Sequence, residues 1–137
     1  MDITADNGYY KSKFYIFCAF PMHDISIEEV EKRAQDLFEK AVAKHKERIK
    51  VETPMGCCRP KSLTELAEYV LLDQIHKENV PEEAGRLWYL GDSIQLLDKA
   101  DLVVFGNDWK DAKGCNVEME ACKQYDIPIL IEGIDFE

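Results

Sequence analysis

The sequence predicts a small three-layer α/β domain of Rossmann-like or flavodoxin-like type, with a mainly parallel sheet of about four strands. Strand-like runs alternate with helical patterns in the order β, α, β, α, α, β, α, β, and this alternation implies parallel strands joined by right-handed crossovers. The strand-like runs are continuously apolar, as in strands buried on both faces. A length of 137 residues suits one domain. We therefore expect 1–137 to form a single domain, with the polar residues 1–11 as a loose leader.

The first half of the chain contains two predicted strands and two predicted helices. Residues 13–20, KFYIFCAF, form the first strand. A Ser-x-x-Glu capping box at 26–29 opens a helix whose apolar spacing continues to near His45. Residues 49–54, IKVETP, are predicted as the second strand, and a second capping box at 62–65 opens another helix. The apolar stripe of that helix comprises Leu63, Leu66, Ala67, Val70 and Leu71.

The second half of the chain repeats the alternation after Pro81, which breaks the preceding helical pattern. A third helix over 87–97 carries apolar residues at helical spacing, and it leads into ADLVVFG, 100–106, the clearest strand. A further helix over 117–125 and the strand IPILIEG, 127–133, complete the chain. Since ligands of such sheets bind beyond the carboxyl ends of the strands, the ligand-facing segments are predicted to be 20–23, 53–61, 107–114 and 132–137.

Glu118 is the carboxylate at this edge that is best suited to take part in a reaction. If Cys115 or Asn116 opens the last helix, Glu118 lies in its first turn, where the helix dipole favours an ionised carboxylate by roughly 0.3–1 kcal/mol. An ionised carboxylate suits a nucleophile better than a general acid. Gly114 would let the backbone approach a ligand or adopt positive φ. The alternative also stands, because acidic residues in first turns commonly serve only to start a helix.

Composition and charge exclude several classes of function. The chain has 17 basic and 27 acidic residues and a net charge of −10, which opposes nucleic acid polymers and anionic membranes as partners. The N-terminal sequence lacks the apolar run of a signal peptide, so we expect the protein in the cytoplasm. Five cysteines without a Cys-x-x-Cys pair, and histidines without metal-ligand spacing, predict no disulfide framework and no metal site. No glycine-rich nucleotide motif is found, and no cofactor is expected.

Arginine offers the only sequence signal for a phosphate group. Arg59 and Arg86 could each bind a phosphate with two parallel hydrogen bonds. Ordinary surface ion pairs would explain both residues equally simply. Arg59 lies in the Gly- and Pro-bearing loop MGCCRP, 55–60, at the predicted ligand edge, and for that reason it is the first choice for a phosphate-binding residue.

Three stretches carry motif-like features beyond their strand and helix signals. Residues 13–22, KFYIFCAFPM, combine a Lys-x-Tyr strand with a Pro-containing loop. Residues 91–104, GDSIQLLDKADLVV, form an Asp-bearing helix that feeds a strand through an acidic junction. Residues 106–130, GNDWKDAKGCNVEMEACKQYDIPIL, contain a tryptophan, a Gly-x-x-x-Glu step, a helix and an Ile-Pro strand. Together they resemble the nucleoside 2-deoxyribosyltransferase superfamily, most closely its small, often phage-associated relatives, over most of the chain except the leader and 55–85.

The resemblance implies an enzyme that cleaves an N-glycosidic bond. It implies Glu118 as the nucleophile that attacks C1′ of a (deoxy)ribosyl group, Tyr15 as the residue that orients it, and Asp92 as a sugar-binding or acid-related residue. The glycosyl-enzyme would pass its sugar to water or to another base. The three side chains should then converge on one pocket. The resemblance further implies substrate-binding residues in the loops at this edge, namely Pro21, Asn107, Trp109, Asp111 and Gly114.

Two other interpretations remain open beside the enzyme. Transferases that recognise the base usually carry an aspartate six residues before the nucleophile, and that position is Ala112 here, with Asp111 one residue away. This difference favours a binding module that uses the same crevice to hold a nucleotide or a nucleotide-derived signal without cleaving it. The acidic surface alone would support a structural or interaction domain. By analogy we also expect a homo-oligomer, in which the C-terminal residues 131–137 could reach the pocket of a neighbouring subunit.

Overall fold

The protein is a three-layer α/β domain, as predicted. The computed structural model describes residues 13–52, 68–72 and 80–137. A four-stranded, all-parallel sheet has the order β2-β1-β3-β4, and three helices pack on it. In chain order the elements are β1 (Lys13–Ala19), α1 (Ile27–Glu52), β2 (Glu68–Leu71), α2 (Arg86–Leu97), β3 (Leu102–Phe105), a 3-10 turn (Trp109–Asp111), α3 (Lys113–Gln124) and β4 (Ile129–Ile131).

The sheet separates two apolar cores. On one face, Val30, Ala34, Leu37 and Ala41 of α1 pack against Phe14, Ile16, Cys18, Val104 and Leu130. On the other face, Leu97 of α2 and Cys115, Met119 and Cys122 of α3 pack against Phe17, Ala19, Val103 and Phe105. Alternate residues of β1 and β3 therefore serve opposite cores, which explains why these central strands are apolar almost throughout. Among the described helices, none is both long enough and apolar enough to cross a membrane.

The second strand lies elsewhere than predicted. Residues 49–52 belong to α1, which runs to Glu52 and does not end near His45; the prediction of a strand there was wrong. The run KHKERIKVE is rich in helix-forming Lys, Glu and Arg, and these outweigh the two β-branched residues at 49–51. Residues 53–54 of that predicted strand lie outside the described residues.

The true β2 occupies Glu68–Leu71, where the sequence predicted a helix, so that prediction was also wrong for these four residues. Pairing with β1, from Lys13 opposite Glu68 to Ile16 opposite Leu71, stabilises the strand. Tyr69 also contacts His45 of α1, with its hydroxyl 2.9 Å from the ring Nδ1. These partners are distant in sequence, so tertiary pairing overrides the local helical spacing. The capping box at 62–65 lies outside the described residues.

The C-terminal residues turn back onto their own chain. Glu132 forms a bridge with Phe136, Gly133 has a positive φ of 89°, and Phe136 packs against the α1-side core. The backbone N–H of Ile131 donates to a carboxylate oxygen of Asp135 at 2.7 Å. The segment 131–137, which was predicted to reach a neighbouring subunit, therefore makes these contacts within its own subunit.

Candidate functional site

The candidate site is a cavity at the carboxyl edge of the sheet. The chain passes from β1 to β2 on one side and to β3 on the other, so the strand order reverses between β1 and β3, where open α/β sheets bind ligands. A cavity of about 200 Å³ lies beside the end of β1. Its walls come from β1 and the following loop (Ala19, Phe20, Met22), from α2 (Arg86, Tyr89, Leu90, Ser93) and from the start of α3 (Ala112, Gly114, Cys115, Glu118).

Two buried polar side chains distinguish this cavity from the rest of the described structure. Glu118 is 5% exposed and Ser93 is 9% exposed, and they are the only polar or charged residues that are buried among the described residues. Both line the same cavity. Burial of a carboxylate costs free energy, so such residues concentrate where a site requires them. Glu118 is therefore the strongest candidate for a functional residue.

Helix α3 holds Glu118 in its second turn. The helix begins at Lys113, earlier than predicted, with Ala112 as its N-cap residue. The side-chain amide of Asn116 donates to the carbonyl oxygens of Ala112 at 2.8 Å and Lys110 at 3.0 Å, which ties the first turn to the preceding 3-10 turn. The prediction that Glu118 lies in the first turn was wrong. The helix dipole therefore does not favour the ionised form of Glu118 as predicted, because its effect falls off within one turn.

Gly114 lies inside α3 and lines the cavity. Its φ is not positive, so of the two predicted uses of this glycine, positive φ and close approach to a ligand, the first does not apply. A Cβ added there would meet Leu90 at 3.8 Å, which is an ordinary contact between α3 and α2. Gly114 therefore brings the first turn of α3 next to α2 without a backbone conformation that only glycine adopts.

The three predicted catalytic side chains do not converge on this cavity, because only Glu118 lines it. Tyr15 lies near the amino end of β1, where its backbone N–H donates to Asp101 at 2.8 Å. It precedes Ala19 by four residues, a distance of about 13 Å along a strand. Asp92 is half-buried on α2. It lies about 100° around the helix from Ser93, the neighbouring residue that lines the cavity.

The predicted substrate-binding loop reaches the correct edge of the sheet, but its side chains mostly serve packing. Trp109 stacks edge-on against Phe105 with ring centroids 5.7 Å apart. The backbone N–H of Asn107 donates to Glu132 at 3.1 Å, towards β4. Asp111 is exposed at the end of the 3-10 turn and does not line the cavity.

The remaining predicted binding residues add little to the cavity wall. Pro21 is half-buried between Phe20 and Met22, which both line the cavity while Pro21 does not. Arg59, the predicted phosphate residue, lies outside the described residues.

Sequence reasoning missed the face of α2 that closes the cavity. Arg86, Tyr89, Leu90 and Ser93 stand at positions i, i+3, i+4 and i+7, which share one side of a helix. The available signal was a serine inside an apolar stripe that continues to Leu97. The sequence analysis favoured Asp92 instead because it is a carboxylate, although its direction on the helix differs.

An ion-pair cluster lies on the opposite side of the same edge. Arg33 of α1 holds Asp108 through both guanidinium nitrogens, one of them at 3.0 Å, and lies 3.7 Å from Glu132. The hydrogen bonds from Arg33 keep the pKa of Asp108 below its ordinary value, and the same bonds raise the pKa of Arg33. The guanidinium also lies 5.0 Å from the ring centroid of Phe20. The cluster clamps the loop after β3 onto α1.

Three cysteines of the described structure, here termed the buried thiols, are Cys18, Cys115 and Cys122. Burial raises the pKa of Cys18 and Cys115 to about 12 and that of Cys122 to about 11. Cys115 and Cys122 flank Glu118 on α3, and its charge adds to both shifts. They are protonated at neutral pH, so they are poor nucleophiles. Among the described residues, no three His, Cys, Asp or Glu side chains are grouped to hold a metal ion.

Comparison with family models, with curated proteins and with solved structures finds no match to this chain in any of the three.

Proposed function

We propose that the protein is a nucleoside or nucleotide N-glycosidase or deoxyribosyltransferase-like enzyme in which Glu118 is the nucleophile. One observation carries the proposal: a buried carboxylate lines a cavity at the carboxyl edge of a parallel sheet, beside the point where strand order reverses. The resemblance of 106–130 to the deoxyribosyltransferase superfamily supports the same residue.

The reaction assigned to Glu118 has two steps. A carboxylate oxygen of Glu118 forms a bond to C1′ as the N-glycosidic bond breaks, and the base leaves with the bonding electrons and takes a proton from solvent. Water or a second base then attacks C1′, which releases the sugar and restores the carboxylate. Both steps pass through a positively charged, oxocarbenium-like transition state that a nearby carboxylate stabilises. The mostly apolar cavity strengthens that attraction because its dielectric constant is low.

The size of the cavity suits the sugar portion of such a substrate. At about 200 Å³ it is smaller than the roughly 300–1,000 Å³ of pockets that enclose drug-sized ligands. A ribosyl ring would lie next to Glu118, and the base would extend beyond the enclosed part of the cavity.

A non-catalytic nucleotide-binding module is the second candidate. Ala112 lines the cavity where base-recognising transferases carry a carboxylate, and Glu118 is the only carboxyl group among the described lining residues. No second acid is thus available there to protonate a departing base. This composition favours binding without cleavage.

The deciding experiment measures base release from a panel of nucleosides and nucleoside 5′-monophosphates. Glu118→Gln should lower the rate by roughly 10³-fold or more, as expected for loss of a nucleophile. Glu120→Gln is the matched control, because Glu120 lies on the same helix but is exposed. Circular dichroism and thermal melting should show both variants folded. Mass spectrometry after acid quenching should detect a glycosylated wild-type chain and an unmodified Glu118→Gln chain.

The same assay can overturn the assignment. Release that continues unchanged in Glu118→Gln would exclude that residue as the nucleophile. A wild-type protein that releases no base, yet melts at a higher temperature with a nucleotide, would establish the binding module instead.

A further inference from the structure

We propose that Arg86 and Ser93 form an anion subsite that binds the 5′-phosphate of the ligand, so that nucleoside 5′-monophosphates are preferred to nucleosides. This inference rests on the proposed function for the identity of the sugar-bearing ligand. Both residues project from the same side of α2 into the Glu118 cavity, with Ser93 deep in the wall and Arg86 exposed. They lie seven residues apart, about 10 Å along the helix axis.

Ser93 provides the first independent observation. Its side chain is among the most buried polar groups of the described structure, at 9% exposure, and it lines the cavity. No described residue forms a hydrogen bond with its hydroxyl, while every fully enclosed polar side-chain atom of the described part has a partner. Buried hydroxyl groups are normally hydrogen-bonded. A hydroxyl that instead opens into a cavity is suited to donate to a ligand oxygen.

Arg86 provides the second observation. Within the described residues, Arg33 pairs with Asp108 and Arg48 lies 3.5 Å from Asp135, whereas Arg86 has no carboxylate within ion-pair distance. Arg86 lines the exposed part of the cavity, and no described carboxylate holds its guanidinium, so it can bind a phosphate there with two hydrogen bonds.

The two helices that meet at the cavity strengthen the positive potential there. Neither α2 nor α3 has a side-chain cap or an acidic residue in its first turn. In contrast, α1 begins with Ser26 bonded to the backbone of Glu29 and with two acidic residues. Arg86 opens α2, and Gly114 lies in the first turn of α3, so both amino ends face one cavity. Helix amino ends favour bound anions.

A sugar phosphate fits this arrangement of groups. With C1′ next to Glu118, the opposite side of the ribosyl ring faces α2, and a 5′-phosphate would extend along that helix from Ser93 towards Arg86. A neutral nucleoside would offer Arg86 no anionic group to bind.

The test compares a nucleoside with its 5′-monophosphate in wild type, Arg86→Gln and Ser93→Ala. Binding is measured by calorimetry in a Glu118→Gln background, so that cleavage is not required for a signal, and kcat/KM is measured in the active background. We expect wild type to bind the monophosphate more tightly, and each substitution to weaken that binding roughly 10- to 100-fold, as for a hydrogen bond to a charged group. Nucleoside binding should change much less, and inorganic phosphate should compete only where Arg86 is present.

Arg48→Gln is the matched control, because Arg48 is a half-exposed arginine on α1 whose described partner is Asp135. It should leave the preference for the monophosphate intact. Equal weakening by Arg48→Gln would reduce the effect to overall charge and overturn the proposal. So would equal loss of nucleoside and monophosphate binding in Arg86→Gln, or a wild type that binds neither the monophosphate nor inorganic phosphate.

The outcomes separate this inference from the proposed function. Base release that depends on Glu118 but shows no preference for the monophosphate would refute the phosphate subsite and leave the enzyme standing. Monophosphate binding that depends on Arg86, without any base release, would refute the enzyme and support the subsite within a binding module.

Discussion

Replacement of Gly106 by alanine should destabilise the protein through the Arg33 cluster. Gly106 directly follows β3 and donates its backbone N–H to the carbonyl oxygen of Ala19 at 2.9 Å. A Cβ at this position would lie 2.5 Å from Nη2 of Arg33, 3.0 Å from Oδ1 of Asp108 and 3.1 Å from Cβ of Phe20. The guanidinium can move, but only by losing its bonds to Asp108. Cβ of Phe20 is fixed by its backbone and cannot move far.

The loss in the free energy of unfolding can be worked out from these contacts. Displacing Arg33 forfeits an ion pair of roughly 0.5–1 kcal/mol and a cation–π contact of roughly 0.5–1 kcal/mol. The tight approach to Phe20 adds overpacking strain, for which costs of about 1–3 kcal/mol are typical. Alanine restricts the unfolded chain and returns roughly 0.4–1 kcal/mol. We therefore expect Gly106→Ala to lower the free energy of unfolding by about 1–4 kcal/mol.

Urea unfolding in two backgrounds tests this reasoning. In wild type, Gly106→Ala should shift the unfolding midpoint downward by roughly 0.5–2 M of urea. In an Arg33→Ala background the guanidinium is gone, so the same substitution should cost less by the roughly 1–2 kcal/mol of the ion pair and the cation–π contact. The strain against Cβ of Phe20 remains in both backgrounds, and the two changes should be non-additive by that smaller amount. A neutral or stabilising Gly106→Ala would refute the steric argument. An equal cost in both backgrounds would show that Arg33 is not the group it displaces.

Two further predictions concern titratable groups of the described structure. Asp108→Asn should cost roughly 0.5–1 kcal/mol at pH 7, and the difference from wild type should vanish in acid. Because Arg33 lowers the pKa of Asp108, the ion pair makes its full contribution to stability above the ordinary pKa of 3.8, and that contribution is lost as the pH falls through the lower pKa of the folded state. Urea unfolding of both proteins at pH 7, 5 and 3 measures the loss. A difference in stability that stays constant with pH would contradict the prediction. The second prediction uses a variant in which Cys57 and Cys58 are replaced by serine, so that only the buried thiols and no other cysteines react. At pH 8 these thiols should react with a disulfide reagent roughly 100-fold more slowly in the native protein than in denaturant. The reason is that their raised pKa values reduce the thiolate fraction. A fast native reaction would contradict the burial of at least one of them.

The central strands could be predicted from sequence because burial on both faces leaves a local signal. The predicted strands at 13–20, 100–106 and 127–133 contain the observed strands Lys13–Ala19, Leu102–Phe105 and Ile129–Ile131. β2 is different because it is an edge strand, paired only with β1, and none of its four residues is fully buried. Its sequence EYVL is short, and its apolar residues also fit the helical spacing of 63–71. Only pairing with a distant strand decides between the two structures.

In the candidate site too, residues with a local sequence signal could be predicted, whereas those that depend on tertiary packing could not. Glu118 could be proposed from sequence because it follows a strongly predicted strand at the edge where ligands bind. Arg86 could be named from sequence as a possible phosphate-binding residue, but Ser93 could not, since the two line one cavity only when α2 lies next to the start of α3. A carboxylate at Asp92 carries more chemical meaning in a sequence than a serine beside it. Helix geometry alone separates the two directions by about 100°, but which of them faces the cavity depends on tertiary packing.

The position of Glu118 depends on both layers of helices. Helix α1 covers the opposite face of the sheet, yet its Arg33 holds Asp108 in the loop that leads from β3 to α3. The 3-10 turn follows that loop directly, and the amide of Asn116 ties α3 to this turn. The start of α3, and with it the direction of Glu118, is thereby restrained from across the sheet. An ion-pair cluster outside the cavity can therefore help to hold the buried carboxylate in its place on the cavity wall.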